Sequence, residues 1–115
     1  MIGPVAMVAD PLAPLTGPPP TVLIVDDHRY VRDMVRALFE GQAYRVLEAA
    51  DGHEGLAVAQ GQHPDCVLLD VRMPGLSGFD VLDRLSEDPR TREIPVIMLT
   101  ASEETLEGLD RALSG

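Results

Sequence analysis

The sequence predicts an α/β fold, a doubly wound parallel sheet with helices on both faces. Two observations carry that prediction. Short apolar runs alternate with stretches of helical periodicity, and three of the four runs end in a polar residue. A short run with no polar face is the pattern of a strand covered on both sides. Strict strand–helix alternation then implies parallel pairing with right-handed crossovers.

The elements follow in order. Residues 1–20 hold six of the ten prolines and end in Pro18-Pro19-Pro20. Such a segment keeps neither a helix nor a sheet ladder, so a flexible tail is expected there, with one domain over residues 21–115. Val22-Leu23-Ile24-Val25 reads as a first strand closing on Asp26-Asp27. Val31, Val35 and Leu38, with Met34 and Phe39 beside them, recur at helical spacing until Gly41. Tyr44-Arg45-Val46-Leu47 is the second predicted strand. Asp51 and Glu54 have the spacing of a capping pair and open a helix through Leu56, Ala57 and Ala59. Cys66-Val67-Leu68-Leu69 is the third strand and closes on Asp70. Ser77 caps a helix carrying Phe79, Val81, Leu82 and Leu85, which Asp88-Pro89 breaks. Ile94 to Leu99 is a fourth strand ending at Thr100. Ser102 then caps a last helix with Leu106, Leu109 and Leu113 on one face.

Composition narrows the class. A chain of 115 residues suits one domain, and with 45% apolar but only 3% aromatic residues its core must be aliphatic. A net charge of -10 argues against nucleic acid as a direct partner, because phosphate backbones demand a basic footprint. The single cysteine, Cys66, permits no internal disulfide and fits a reducing, cytoplasmic setting. No apolar stretch reaches the ~18 residues of a membrane span, and Met1-Ile2-Gly3-Pro4 lacks a basic leader region. All nine basic residues are arginines; the chain contains no lysine.

In open α/β sheets ligands bind beyond the carboxyl ends of the strands, near the reversal of strand order. Asp26-Asp27, Asp70 and Thr100 all fall at that edge. Each alone has a plain explanation as a helix cap or a loop residue; their joint placement points to a site. Gathered carboxylates repel unless a cation sits among them, and Mg²⁺ suits a site of one or two carboxylates, waters and phosphate oxygens.

Val25-Asp26-Asp27, Leu69-Asp70-Val71-Arg72-Met73-Pro74-Gly75-Leu76-Ser77-Gly78 and Met98-Leu99-Thr100-Ala101 resemble, in order and interval, the signature segments of receiver domains of two-component response regulators. The resemblance covers roughly residues 21–115. It implies a flavodoxin-like (CheY-like) sheet of order 2-1-3-4-5. It implies a phosphoacceptor in phosphorelay signalling, not an enzyme in the ordinary sense, with self-catalysed phosphorylation and dephosphorylation. Asp70 matches the acceptor of a phosphoryl group from a sensor histidine kinase or histidine phosphotransfer protein. Asp27 matches the direct Mg²⁺ ligand and Asp26 its neighbour acting through water; Asp70 and the backbone carbonyl of Arg72 complete the metal set. Thr100 matches the hydroxyl that binds a phosphoryl oxygen. Met73-Pro74 and Gly78 shape the loop, and Ser77 stands where Asp is also frequent. Arg72 and Ser102 flank the approach of hydrolytic water and are expected to tune dephosphorylation.

The family pattern continues with a fifth strand bearing a lysine, an aromatic switch residue and a fifth helix, whereas this sequence stops at Gly115, where the fourth helix would end. Tyr30 and Tyr44 fall too early to be the switch. The lysine would contribute a charge-assisted bond of ~1.5–3 kcal/mol to the phosphoryl group. A non-switching pseudo-receiver, acting as a binding or dimerisation module, is the alternative reading. With the fourth strand at the sheet edge, self-association through Ile94–Leu99 is expected. A phosphatase-like hydrolase ranks below both, because Arg72 stands where a general-acid Asp would be. A dinucleotide-binding domain lacks its Gly-rich turn, since Asp27-His28-Arg29 follows the first strand. His28, His53 and His63 are expected at the surface and Cys66 in the core.

Overall fold

A computed structural model describes residues 18–99. Most of the expected tail, Thr100, Ser102 and the last predicted helix therefore lie outside the described residues. Seven elements alternate as the periodicity predicts: β1 (Thr21–Val25), α1 (Arg29–Glu40), β2 (Arg45–Ala49), α2 (Gly52–Gln62), β3 (Cys66–Asp70), α3 (Gly78–Glu87) and β4 (Val96–Leu99). The strands pair in parallel in the order β2-β1-β3-β4, the described part of the order that the resemblance implies.

The central strands explain the two-sided burial. Successive side chains point to opposite faces of a sheet. Val22 and Ile24 of β1 join Val31 and Val35 of α1, with Cys66 and Leu68, in one layer. Leu23 and Val25 point the other way, into a larger layer with Leu56 and Ala59 of α2 and Val81 and Leu85 of α3. Leu23, Ile24, Val25, Val67 and Leu69 are fully buried, each worth about 1.5–3 kcal/mol on removal from water. The core is aliphatic, as composition requires, and Cys66 is one of its members.

Local chemistry sets the helix ends. The Asp51 carboxylate accepts from the Glu54 N–H while Glu54 accepts from the Ala50 N–H, so α2 has the predicted start. Ser77 and Asp80 form a reciprocal capping box at α3. Helix α1 stops at Gly41 as expected. Gly41 is right-handed, and the left-handed turn falls on Ala43 at φ 64°. That turn leaves Tyr44 ahead of β2, edge-on to Phe39 with ring centroids 5.2 Å apart. Ile94 and Pro95 likewise precede β4.

Helix α1 differs from expectation in which residues it buries. Val31 and Val35 are buried with half-buried Phe39 beyond them, whereas Met34 and Leu38 are 56% and 63% exposed. A helix lying on one face of a sheet buries a single stripe at i, i+4, i+8, and Tyr30, Met34 and Leu38 form the neighbouring stripe. No helix among the described residues is long and apolar enough to cross a membrane.

Candidate functional site

The chain leaves β1 for β2 on one side and returns to place β3 on the other, so the strand order reverses between β1 and β3. Val25 pairs with Leu69. The residues that follow, Asp26 and Asp70, therefore emerge abreast at the carboxyl edge of that reversal. Both are buried, Asp26 to 2% exposure and Asp70 to 7%. The Asp26 N–H donates to Ala49 O at 3.1 Å, which continues the sheet ladder under the site. Leu99 pairs with Asp70 on its other flank; Thr100 is the next residue and lies outside the described residues, as does Ser102.

Two exposed residues complete the group. One ligand atom from each of Asp26, Asp27, His28 and Asp70 lies within 4.8 Å of the others. The sequence reading brought three of these together, and the structure does the same. It missed the fourth. His28 caps α1 from an extended backbone, and its Nδ1 turns back to 3.1 Å from Asp26 Oδ1 and 3.2 Å from Asp27 Oδ1. The adjacency Asp26-Asp27-His28 was the available signal, but a ring beside hard-cation ligands reads first as a surface residue. His53 and His63 are exposed as expected.

Burial pushes the Asp70 carboxyl above its ordinary value. The hydrogen bond from the Arg72 N–H, 3.1 Å, pulls it back, while the charges of Asp26 and Asp27 push it further up. The hydrogen bond to Asp26 and the charge of Asp27 raise the His28 imidazole above its usual range. Three carboxylates converging with two of them buried form a donor set that fits a hard divalent cation. Arg72 follows two residues after Asp70 with an exposed side chain.

The site is braced from two sides. The Asp26 carboxylate accepts from the His28 N–H at 2.8 Å, which fixes the turn into α1. Arg32 donates from Nη1 to the Asp26 carbonyl at 2.7 Å and from Nε to Glu48 at 3.1 Å. Arg36 donates to the other Glu48 oxygen at 2.7 Å, and these bonds hold the Glu48 carboxyl below its ordinary value. Nothing in the sequence marks Arg32, because its reach depends on where α1 lies on the sheet. Beneath Asp70, a Cβ on Gly78 would overlap the Asp70 carbonyl oxygen. Only glycine lets the start of α3 approach that loop. Gly75, at φ 78°, makes the turn between them, and buried Met73 anchors it in the core.

Comparison with known proteins matches this arrangement to one family. The model of the response regulator receiver domain aligns with residues 22–114. The chain is 40% identical over 94 residues to the DNA-binding dual master transcriptional regulator RpaA of Synechocystis, covering 79% of this chain and 39% of that protein. It is 40% identical over 83 residues to protein PilH of Pseudomonas aeruginosa, covering 72% and 69% respectively. The chain thus spans well under half of RpaA and about a fifth (21%) of response regulator PleD of Caulobacter vibrioides. Among solved structures, the N-terminal domain of a response regulator receiver protein from Methanoculleus marisnigri superposes with a TM-score of 0.69 at 38% identity, covering 78% of this chain and 76% of that one. Chemotaxis response regulator CheY4 of Vibrio cholerae gives 0.70 at 32% identity, covering 84% and 81%. With the fold, the acidic edge and these relatives in agreement, the chain belongs to the response regulator receiver domain family.

Proposed function

We propose that this chain accepts a phosphoryl group on Asp70 from a phosphohistidine of a sensor kinase or phosphotransfer protein. The observation that carries the reading is the emergence of buried Asp26 and Asp70 side by side at the reversal of strand order, with Asp27 converging on them. An Asp70 oxygen attacks phosphorus, the P–N bond breaks, and its electron pair returns to the donor imidazole, leaving an aspartyl phosphate. Asp27, Asp70 and the Arg72 carbonyl would hold Mg²⁺, with Asp26 acting through water. When bound, the ion offsets the charge of the phosphoryl oxygens and of the crowded carboxylates. Thr100 supplies a hydroxyl to one phosphoryl oxygen, and the side chains of Arg72 and Ser102 set how readily water reverses the reaction.

Incubation with Mg²⁺ and acetyl phosphate or phosphoramidate is expected to add ~80 Da, the mass of one phosphoryl group, to the intact chain and nothing to Asp70→Asn. No adduct on the wild type overturns the reading and leaves a binding module that does not switch. The adduct's half-life in Arg72→Ala checks the role of that side chain; an unchanged value removes it. β4 is half-exposed, apolar and last in the described sheet, and we infer that a second copy can add a strand beside it. Light scattering at rising concentration tests this, and a constant monomer mass rejects it.

A further inference from the structure

We propose that His28 is a fourth donor of the cation pocket, and that its imidazole shifts the pocket's choice among divalent ions away from Mg²⁺ and toward Mn²⁺ and Co²⁺. The inference rests on the reading of Asp26, Asp27 and Asp70 as cation ligands, and it concerns a residue to which that reading gives no role.

Geometry supplies the first argument. Neighbouring donors on an octahedral ion with bonds of about 2.1 Å stand roughly 3.0 Å apart, a spacing fixed by the right angle between them. His28 Nδ1 lies 3.1 Å from Asp26 Oδ1 and 3.2 Å from Asp27 Oδ1; these are the contacts of a ring hydrogen-bonded to the carboxylates, and a cation entering at that spacing displaces the Nδ1 proton to solvent and takes the freed lone pair. No donor pair in the group exceeds 4.8 Å. A modest contraction therefore brings His28 onto one ion with Asp27 and Asp70, while Asp26 stays within reach through a water.

The ring is also held in place. The His28 backbone N–H is bonded to the same Asp26 oxygen, and the Tyr30 ring meets the imidazole edge-on with centroids 5.5 Å apart. Two constraints, one on the main chain and one on the ring, limit how far Nδ1 swings from the carboxylates.

Chemistry supplies the direction of the effect. Carboxylate and water suit Mg²⁺ and Mn²⁺, whereas imidazole nitrogen binds later first-row ions more strongly, with affinity rising from Mn²⁺ through Co²⁺. Adding one nitrogen to three oxygens steepens that rise. Mg²⁺, which dehydrates reluctantly and prefers oxygen, gains little from it.

The test uses the whole chain. Pulsed electron paramagnetic resonance of the Mn²⁺-loaded wild type is expected to show nitrogen-14 modulation from a directly bound imidazole, absent in His28→Ala. Dissociation constants for Mg²⁺ and Co²⁺ follow by titration calorimetry on the wild type, His28→Ala and His28→Asn. Both variants are expected to lose roughly tenfold in Co²⁺ affinity, the scale of losing one metal-site interaction, and less than about threefold in Mg²⁺ affinity. Absence of nitrogen modulation in the wild type, or equal losses for the two ions, overturns the inference. If Mg²⁺ binds and Asp70 takes the phosphoryl group while no nitrogen is seen, only the role of His28 falls. If no divalent ion binds and no adduct forms, the underlying reading falls with it.

Discussion

Two clusters of charge lie side by side along the start of α1, and they solve opposite problems. In the Arg32–Glu48–Arg36 cluster one carboxylate takes hydrogen bonds from two guanidiniums, and its acidity increases. In the Asp26–Asp27–Asp70 pocket carboxylates face one another and burial makes Asp70 a weaker acid. The first cluster settles its charge within the fold. The second leaves like charges facing one another, a cost that a cation bound among them would offset. The two sets of carboxylates thus differ less in residue type than in what surrounds them.

Three substitutions test that contrast. Gly78→Ala drives a methyl group into the Asp70 carbonyl and is expected to cost about 3 kcal/mol, the upper range for forced overpacking, read from the denaturant midpoint. It should also weaken Mg²⁺ binding; a variant as stable as the wild type would break the account of how α3 is seated. Glu48→Gln comes next, with an expected loss of about 1 kcal/mol, because the pairs are partly exposed and screened. The sign with pH follows from linkage. A carboxyl held below its unfolded value contributes stability that is present above that unfolded value and lost as pH falls through the folded one. The gap between wild type and Glu48→Gln is therefore expected to be full near neutrality and to close in acid. A gap that widens in acid contradicts the pairing. The last effect is of similar size and runs the other way. Asp70→Asn, in chelator, is expected to stabilise the fold by about 1 kcal/mol by removing a crowded buried charge. Destabilisation of similar size would show that the pocket is not strained without its cation.

The fold was legible because its strongest signals are local and redundant. The apolar runs at Val22–Val25 and Cys66–Leu69 have no polar face, and each stops at an aspartate. Asp51 and Ser77 announce their helices by side-chain chemistry that needs no tertiary context. Helix α1 was harder to read, because two neighbouring stripes are apolar and only contact with the sheet selects Val31 and Val35 over Met34 and Leu38. In the site, Asp26, Asp27 and Asp70 were found because register alone carries them to one edge. His28 and Arg32 were not, since their positions depend on a side chain folding back and on the seat of a helix. Ala43 gave no warning of its left-handed backbone, which sequence associates with glycine or asparagine.

The absence of lysine has a counterpart in this architecture. Arg32 works as a two-ended bracket, one nitrogen on the main chain of Asp26 and another on Glu48. A single ammonium on a flexible stem is a point contact and does not hold two acceptors at a fixed angle as a planar fork does. The acidic edge at Asp26 is thereby tied to the second strand through one side chain. Any movement of the Asp26 turn must carry Glu48 with it or release it, and the arginine makes those two events mechanically one.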